Sequence, residues 1–99
     1  MYEIIIGELS EERKVGWKEL DVDPDEVLEK TLFRSQCRMG TLSSAADSFR
    51  NEIQLNWGSF AWKAKKKDLI KFFKKHKYPK DILSDLDSVK TYGVVYIDH

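Results

Sequence analysis

The chain has 99 residues, 41% of them hydrophobic and 12% aromatic, with two prolines and five glycines. That composition is of a folded domain with its own core, and it excludes a disordered or fibrous chain. Seventeen bases match seventeen acids. The zero net charge is unevenly spread: residues 1–30 carry ten acids against four bases, and residues 62–80 carry nine lysines against Asp68. Such segregation makes the molecule dipolar unless folding brings the two blocks together. A single cysteine, Cys37, cannot close an intramolecular disulfide, which suits a reducing compartment. The start "MYEIII" has no basic leader, and no apolar run approaches the ~18 residues of a membrane span. These features predict a soluble, cytoplasmic, single-domain protein with no membrane role.

Taken in chain order, "YEIIIGEL" (2–9) is β-branched and short, as a buried strand is. Residues 10–20 read either as a charged loop or as a short strand around Val15 and Trp17. In "DPDEVLEKTLFRSQCRMG" Asp23 is placed to cap a helix, Pro24 fits its first position, and Glu26 completes a capping-box pattern. Early acids and late arginines (Arg34, Arg38) suit a helix dipole, and Gly40 ends the segment. This predicts a helix over about 23–40.

Residues 41–57 carry two patterns. Leu42, Ala45, Ala46, Phe49 and Ile53 have helical spacing, whereas Ile53, Leu55 and Trp57 alternate, as do Phe60, Trp62 and Ala64. A hairpin turning at Trp57–Gly58 sets Leu55 opposite Phe60 and Ile53 opposite Trp62, preceded by a loop or helical turn around Ser44–Ser48. A type I turn with Gly58 as bulge residue would shift that register. Next, Leu69, Ile70, Phe72 and Phe73 share one helical face and Lys67, Lys71, Lys74 and Lys75 the other, with Pro79 as the stop. "KDILSDLDSVK" reads as a short helix or structured loop, and "TYGVVYID" as a last strand.

The order predicts an α+β fold, β-α-β-β-α-β, the split βαβ or ferredoxin-like two-layer sandwich with its helices on one sheet face. If 43–56 is helical instead, the order becomes β-α-α-β-α-β. Ile4, Ile6, Leu28, Leu32, Leu69, Phe72, Phe73, Val94 and Val95 are expected in one core.

Two stretches carry a resemblance. "IIIGEL" (4–9) resembles the shorter first-strand motif of RNA-recognition domains, and "GSFAWKAK" (58–65) is similar to their longer motif, with Phe60, Ala61 and Trp62 aligned. The resemblance implies bases stacked on strand aromatics. Ile5 stands where the first-strand stacking aromatic belongs, and Lys63 and Lys65 replace apolar and aromatic positions.

No catalytic constellation is visible. The histidines are His76, on the apolar arc of its helix, and His99; the glycines are scattered. Asp21, Asp23 and Asp25 alternate like the start of a calcium loop. Glu26 and Leu32 then occupy the places of its glycine and its closing glutamate. No cofactor or metal is expected. The first functional expectation is therefore a non-enzymatic protein that binds another protein. Glu19, Asp21, Asp23, Asp25, Glu26 and Glu29 would face a basic partner, as an inhibitor or immunity-type protein does. The alternative is a single-stranded nucleic-acid module. It would use Lys63, Lys65, Lys66, Lys67, Lys71, Lys74, Lys75 and Lys77, with Phe60 and Trp62 as stackers.

Overall fold

The computed structural model describes residues 2–20, 22–55, 58–78, 81 and 91–98. In chain order these form β1 (Tyr2–Glu8), α1 (Glu11–Val15), 3-10 turns at Trp17–Glu19 and Pro24–Glu26, and β2 (Lys30–Cys37). Then come α2 (Gly40–Ser48), β3 (Arg50–Gln54), β4 (Phe60–Ala64), α3 (Lys66–His76) and β5 (Tyr92–Asp98). The fold is α+β. Its one sheet has five strands in the order β2-β1-β5-β4-β3, and every neighbouring pair is antiparallel. Strand number and order both differ from the expected split βαβ arrangement. The helix or loop expected at 80–90 lies outside the described residues, apart from Asp81.

The fifth strand is the segment expected to be a helix. Asp23, Pro24 and Glu26 start one 3-10 turn, in which the Glu26 amide donates to the Asp23 carbonyl at 2.8 Å. The turn goes no further, because Val27 is drawn into the core and the Glu29 amide donates to the Glu8 carbonyl at 2.8 Å. That bond opens the ladder with β1. Pairing along β1 gives the backbone of residues 30–37 a hydrogen-bonding edge, and Thr31, Leu32 and Phe33 suit a pleated surface. Tertiary pairing outweighs the local capping signal.

The β1–β2 register shifts by one residue at Ile6/Gly7, so the chain bulges at Leu32, and Leu32 and Phe33 both pack toward the same cluster. Gly7 is required there: a Cβ on it would collide with the Lys30 carbonyl oxygen.

The hairpin at 50–64 is present, with α2 directly before it, so the helical and alternating patterns of that region belong to successive elements. Its register is one residue off the expected one, pairing Gln54 with Phe60 and Ile53 with Ala61. The Leu55 amide donates to the Ser59 carbonyl at 2.7 Å, and Gly58 has φ +72°, a left-handed conformation that glycine adopts without strain. Asn56 and Trp57 lie outside the described residues. A one-residue slip exchanges faces: Ile53 joins Ala61, and Trp62 instead lies near Glu52, to whose Oε1 its indole donates at 3.0 Å.

Both faces of the sheet are covered. On one, Ala45, Phe49, Leu69, Phe72 and Phe73 from α2 and α3 pack on Ile4, Ile6, Trp62, Tyr92, Val94 and Tyr96. On the other, Leu9, Trp17 and Val27 from the 9–28 segment pack on Ile5, Ala61, Val95 and Ile97. The expected single core is thus two. Ile4, Ile6, Leu69, Phe72, Phe73 and Val94 are in the first, with Leu32 packed against it, while Leu28 and Val95 belong to the second. Central β5 is buried on both sides, which accounts for its unbroken apolar run.

Candidate functional site

The acidic candidates sit on the layer formed by residues 9–29. Asp23, Asp25, Glu26 and Glu29 are exposed; Asp21 and the side chain of Glu19 lie outside the described residues. Ser10 caps α1, its hydroxyl accepting from the Arg13 amide at 3.2 Å, and this capped turn carries Glu12 beside the end of the Pro24–Glu26 turn. The result is a shallow depression of about 430 Å³ lined by Ser10, Glu12, Arg13, Glu26, Leu28 and Glu29. Three carboxylates and one guanidinium thus line it, and Arg34 of β2 lies 3.9 Å from Asp25 while also pairing with Glu3. Glu12 and Arg13 were not singled out from sequence. Ser10 followed by two glutamates is the helix-start signal that would have found them.

The lysine candidates do not form one surface. Lys65, Lys66, Lys67, Lys71, Lys74, Lys75 and Lys77 are exposed on or beside α3. Lys63 lies on β4 pointing to the opposite sheet face, where its ammonium sits 5.6 Å from the centre of the Trp17 ring. The two stackers face the helices. Trp62 is 0% exposed and lies 6.5 Å from Phe49, centre to centre, and Phe60 is half-buried against the same cluster. Trp62 therefore offers no face to a base. Its burial follows from the β4 alternation that sets residues 60, 62 and 64 under α2 and α3.

His76 joins those two helices. Its Nε2 lies 2.8 Å from the Ser44 hydroxyl, and its ring packs on Phe72 and Tyr78 at 4.3 and 5.8 Å. Burial, then the neighbouring Lys75 charge, pushes its pKa down. Cys37 bonds the Thr41 side chain, and burial pushes its thiol up, away from the thiolate that a nucleophile needs. Tyr96 is pushed up to about 12, first by burial and then by Cys37, Tyr2 and Asp98.

A second concavity lies between α1 and the edge strand β3. It holds about 420 Å³ and is lined by Lys14, Val15, Gly16, Trp17, Lys18, Asn51, Glu52, Ile53 and Lys63. The β3–β4 register shifts between Arg50 and Ile53, and Asn51 there has φ +57°, a conformation asparagine tolerates. The bulge turns the Asn51 carbonyl toward the Trp17 indole, which donates to it at 2.6 Å. Lys63 Nζ donates to the Lys14 carbonyl at 2.9 Å. Neither Lys14, Trp17 nor Lys18 was a sequence candidate.

Among the described residues no group of three histidine, cysteine or acidic side chains is placed to hold a metal, and no helix is long and apolar enough to cross a membrane. The chain matches no protein-family model, and no curated protein or solved structure is significantly similar to it.

Proposed function

We propose that this protein acts by binding another protein, presenting the acidic surface around Glu12, Glu26 and Glu29 to a basic partner, as an inhibitor or immunity-type molecule does. One observation carries the reading. Acids from separate segments gather around one depression on one side of the sheet while the α3 lysines lie on the other, so folding does not bring those two blocks together. A local field of one sign speeds encounter with an opposite surface and rejects like-charged ones. Asp23 and Asp25, both exposed, extend that surface. The half-buried lone thiol of Cys37 favours a reducing location such as the cytoplasm.

The reading is tested with two baits in extracts of the source cells, the natural chain and Glu12→Lys/Glu26→Lys/Glu29→Lys. A basic protein held by the first, released by salt and not held by a folded triple variant is the expected result. Equal retention of every captured protein by both baits would remove the acidic surface from the mechanism.

A further inference from the structure

We propose that the cleft between α1 and the bulged edge of β3 binds a small ligand carrying a carboxylate or phosphate on an apolar body. The volume, about 420 Å³, falls among small-molecule sites, which span roughly 300–1,000 Å³. Its walls are fixed from both sides. The Trp17 indole is locked to the Asn51 carbonyl, and Lys63 is locked to the Lys14 carbonyl and held over the Trp17 ring.

The electrostatics select an anion. Among the described residues Lys14, Lys18 and Lys63 line the cleft against one carboxylate, Glu52, whose Oε1 accepts from the indole of Trp62 on the other sheet face. Lys14 is paired with Glu11 at 2.7 Å. Lys63 is half-buried, and among the described residues no carboxylate lies within ion-pair distance of it. An ammonium has three donors, and the Lys14 carbonyl takes one. A partly desolvated cation without a counter-ion is costly, and an anion in the cleft would supply one, with Lys18 reaching in from the rim.

The apolar part of the ligand has its own wall. Val15 is 90% exposed and borders the cleft together with half-buried Ile53. A single exposed valine is ordinary. Beside Lys63, which has no carboxylate within ion-pair distance among the described residues, it forms the apolar half of an amphiphilic site.

The test is an amide and indole NMR titration of the whole chain with phenyl phosphate, benzoate, inorganic phosphate and benzyl alcohol. Phenyl phosphate or benzoate is expected to shift the Trp17 indole signal and the amides of Val15–Lys18 and Asn51–Ile53; the tighter of the two assigns the headgroup. Lys63→Gln should weaken binding roughly ten-fold, the scale of one charge-assisted hydrogen bond, and Lys63→Arg should retain it. Lys18→Gln, at an exposed side chain, keeps the test valid if Lys63→Gln fails to fold, and should weaken binding by a smaller factor. Lys30→Gln, on the far edge strand, should change nothing. Absence of shifts at these signals, or benzyl alcohol binding as tightly as the anions, would overturn the proposal. So would inorganic phosphate binding as tightly as phenyl phosphate, since the apolar wall would then have no role.

Discussion

Gly7 and Gly93 stand opposite each other on β1 and β5, and both lack room for a methyl group. The obstacle at Gly7 is the Lys30 backbone, whereas at Gly93 it is the ends of Leu28 and Leu9, 2.6 and 2.8 Å from where a Cβ would sit. Backbone yields less than a leucine tip. Gly7→Ala should therefore cost about 1–3 kcal/mol or more, and Gly93→Ala less, by denaturant unfolding. Lys77 ends α3 at φ +56°, with the Lys77 and Tyr78 amides donating to the Lys74 and Phe73 carbonyls at 3.4 and 3.0 Å. That is the glycine position of a Schellman ending, so Lys77→Gly should gain up to ~1 kcal/mol as the left-handed strain is relieved. His76 titrates below its ordinary 6.5 because burial disfavours its cation. Its neutral form thus stabilises the fold at higher pH, and that contribution is lost as pH falls from 6.5 through the lowered value. The stability difference between the natural chain and His76→Gln should move with pH across that window; a constant difference would count against the burial of the imidazole between α2 and α3.

At the scale of the element, α3 answers to two separate demands. Leu69, Phe72 and Phe73 are almost wholly buried, and Phe72 lies 5.0 Å from Phe49 of the α2 ending. Phe72→Ala should cost about 3–5 kcal/mol; a loss under ~1 kcal/mol would contradict the packing of this helix on the sheet. The lysine back is independent of that packing. Changing Lys67, Lys71, Lys74 and Lys75 to glutamine should leave the unfolding transition nearly unchanged, since solvated lysines contribute little. With Trp62 buried, single-stranded RNA should bind weakly before and after the change. Tight binding near physiological salt that the folded quadruple variant loses would restore a nucleic-acid role, through phosphates alone.

For the whole molecule, the sheet acts as a partition. Alternation along β1 and β5 sends Ile4, Ile6, Val94 and Tyr96 to one side and Ile5, Val95 and Ile97 to the other, and each side then takes a different covering layer. The lysine-rich helix covers the first and the acid-rich 9–29 segment the second, which keeps the α3 lysines away from the acids of that segment, while Lys14, Lys18 and Lys63 gather at the α1–β3 cleft. If the acidic surface captures a basic partner, its association rate should fall as salt rises, because the Debye length shrinks from ~10 Å at 0.1 M to ~3 Å at 1 M. Dissociation should change less. A rate independent of salt would leave the charge segregation without a role in binding.

What the sequence determined by itself was local. The runs at 2–8 and 92–98 are strands because their apolar stretches are too short and too β-branched for another role, and α3 is a helix because its apolar residues recur at one helical face. Both the acidic and the lysine-rich blocks were legible as charge. Three things were decided only by the tertiary structure. Residues 30–37 had good helix-start signals before them, yet β1 offered a strand edge whose bonds no local pattern reveals. The hairpin register depended on one left-handed glycine, and with it the faces of Ile53 and Trp62. The Trp17 cleft needed a bulge at Asn51 and a lysine 46 residues beyond Trp17 in the chain, brought together by pairing between β3 and β4. Periodicity records which residues seek burial. Which surface receives them depends on strand pairing between residues far apart in the chain.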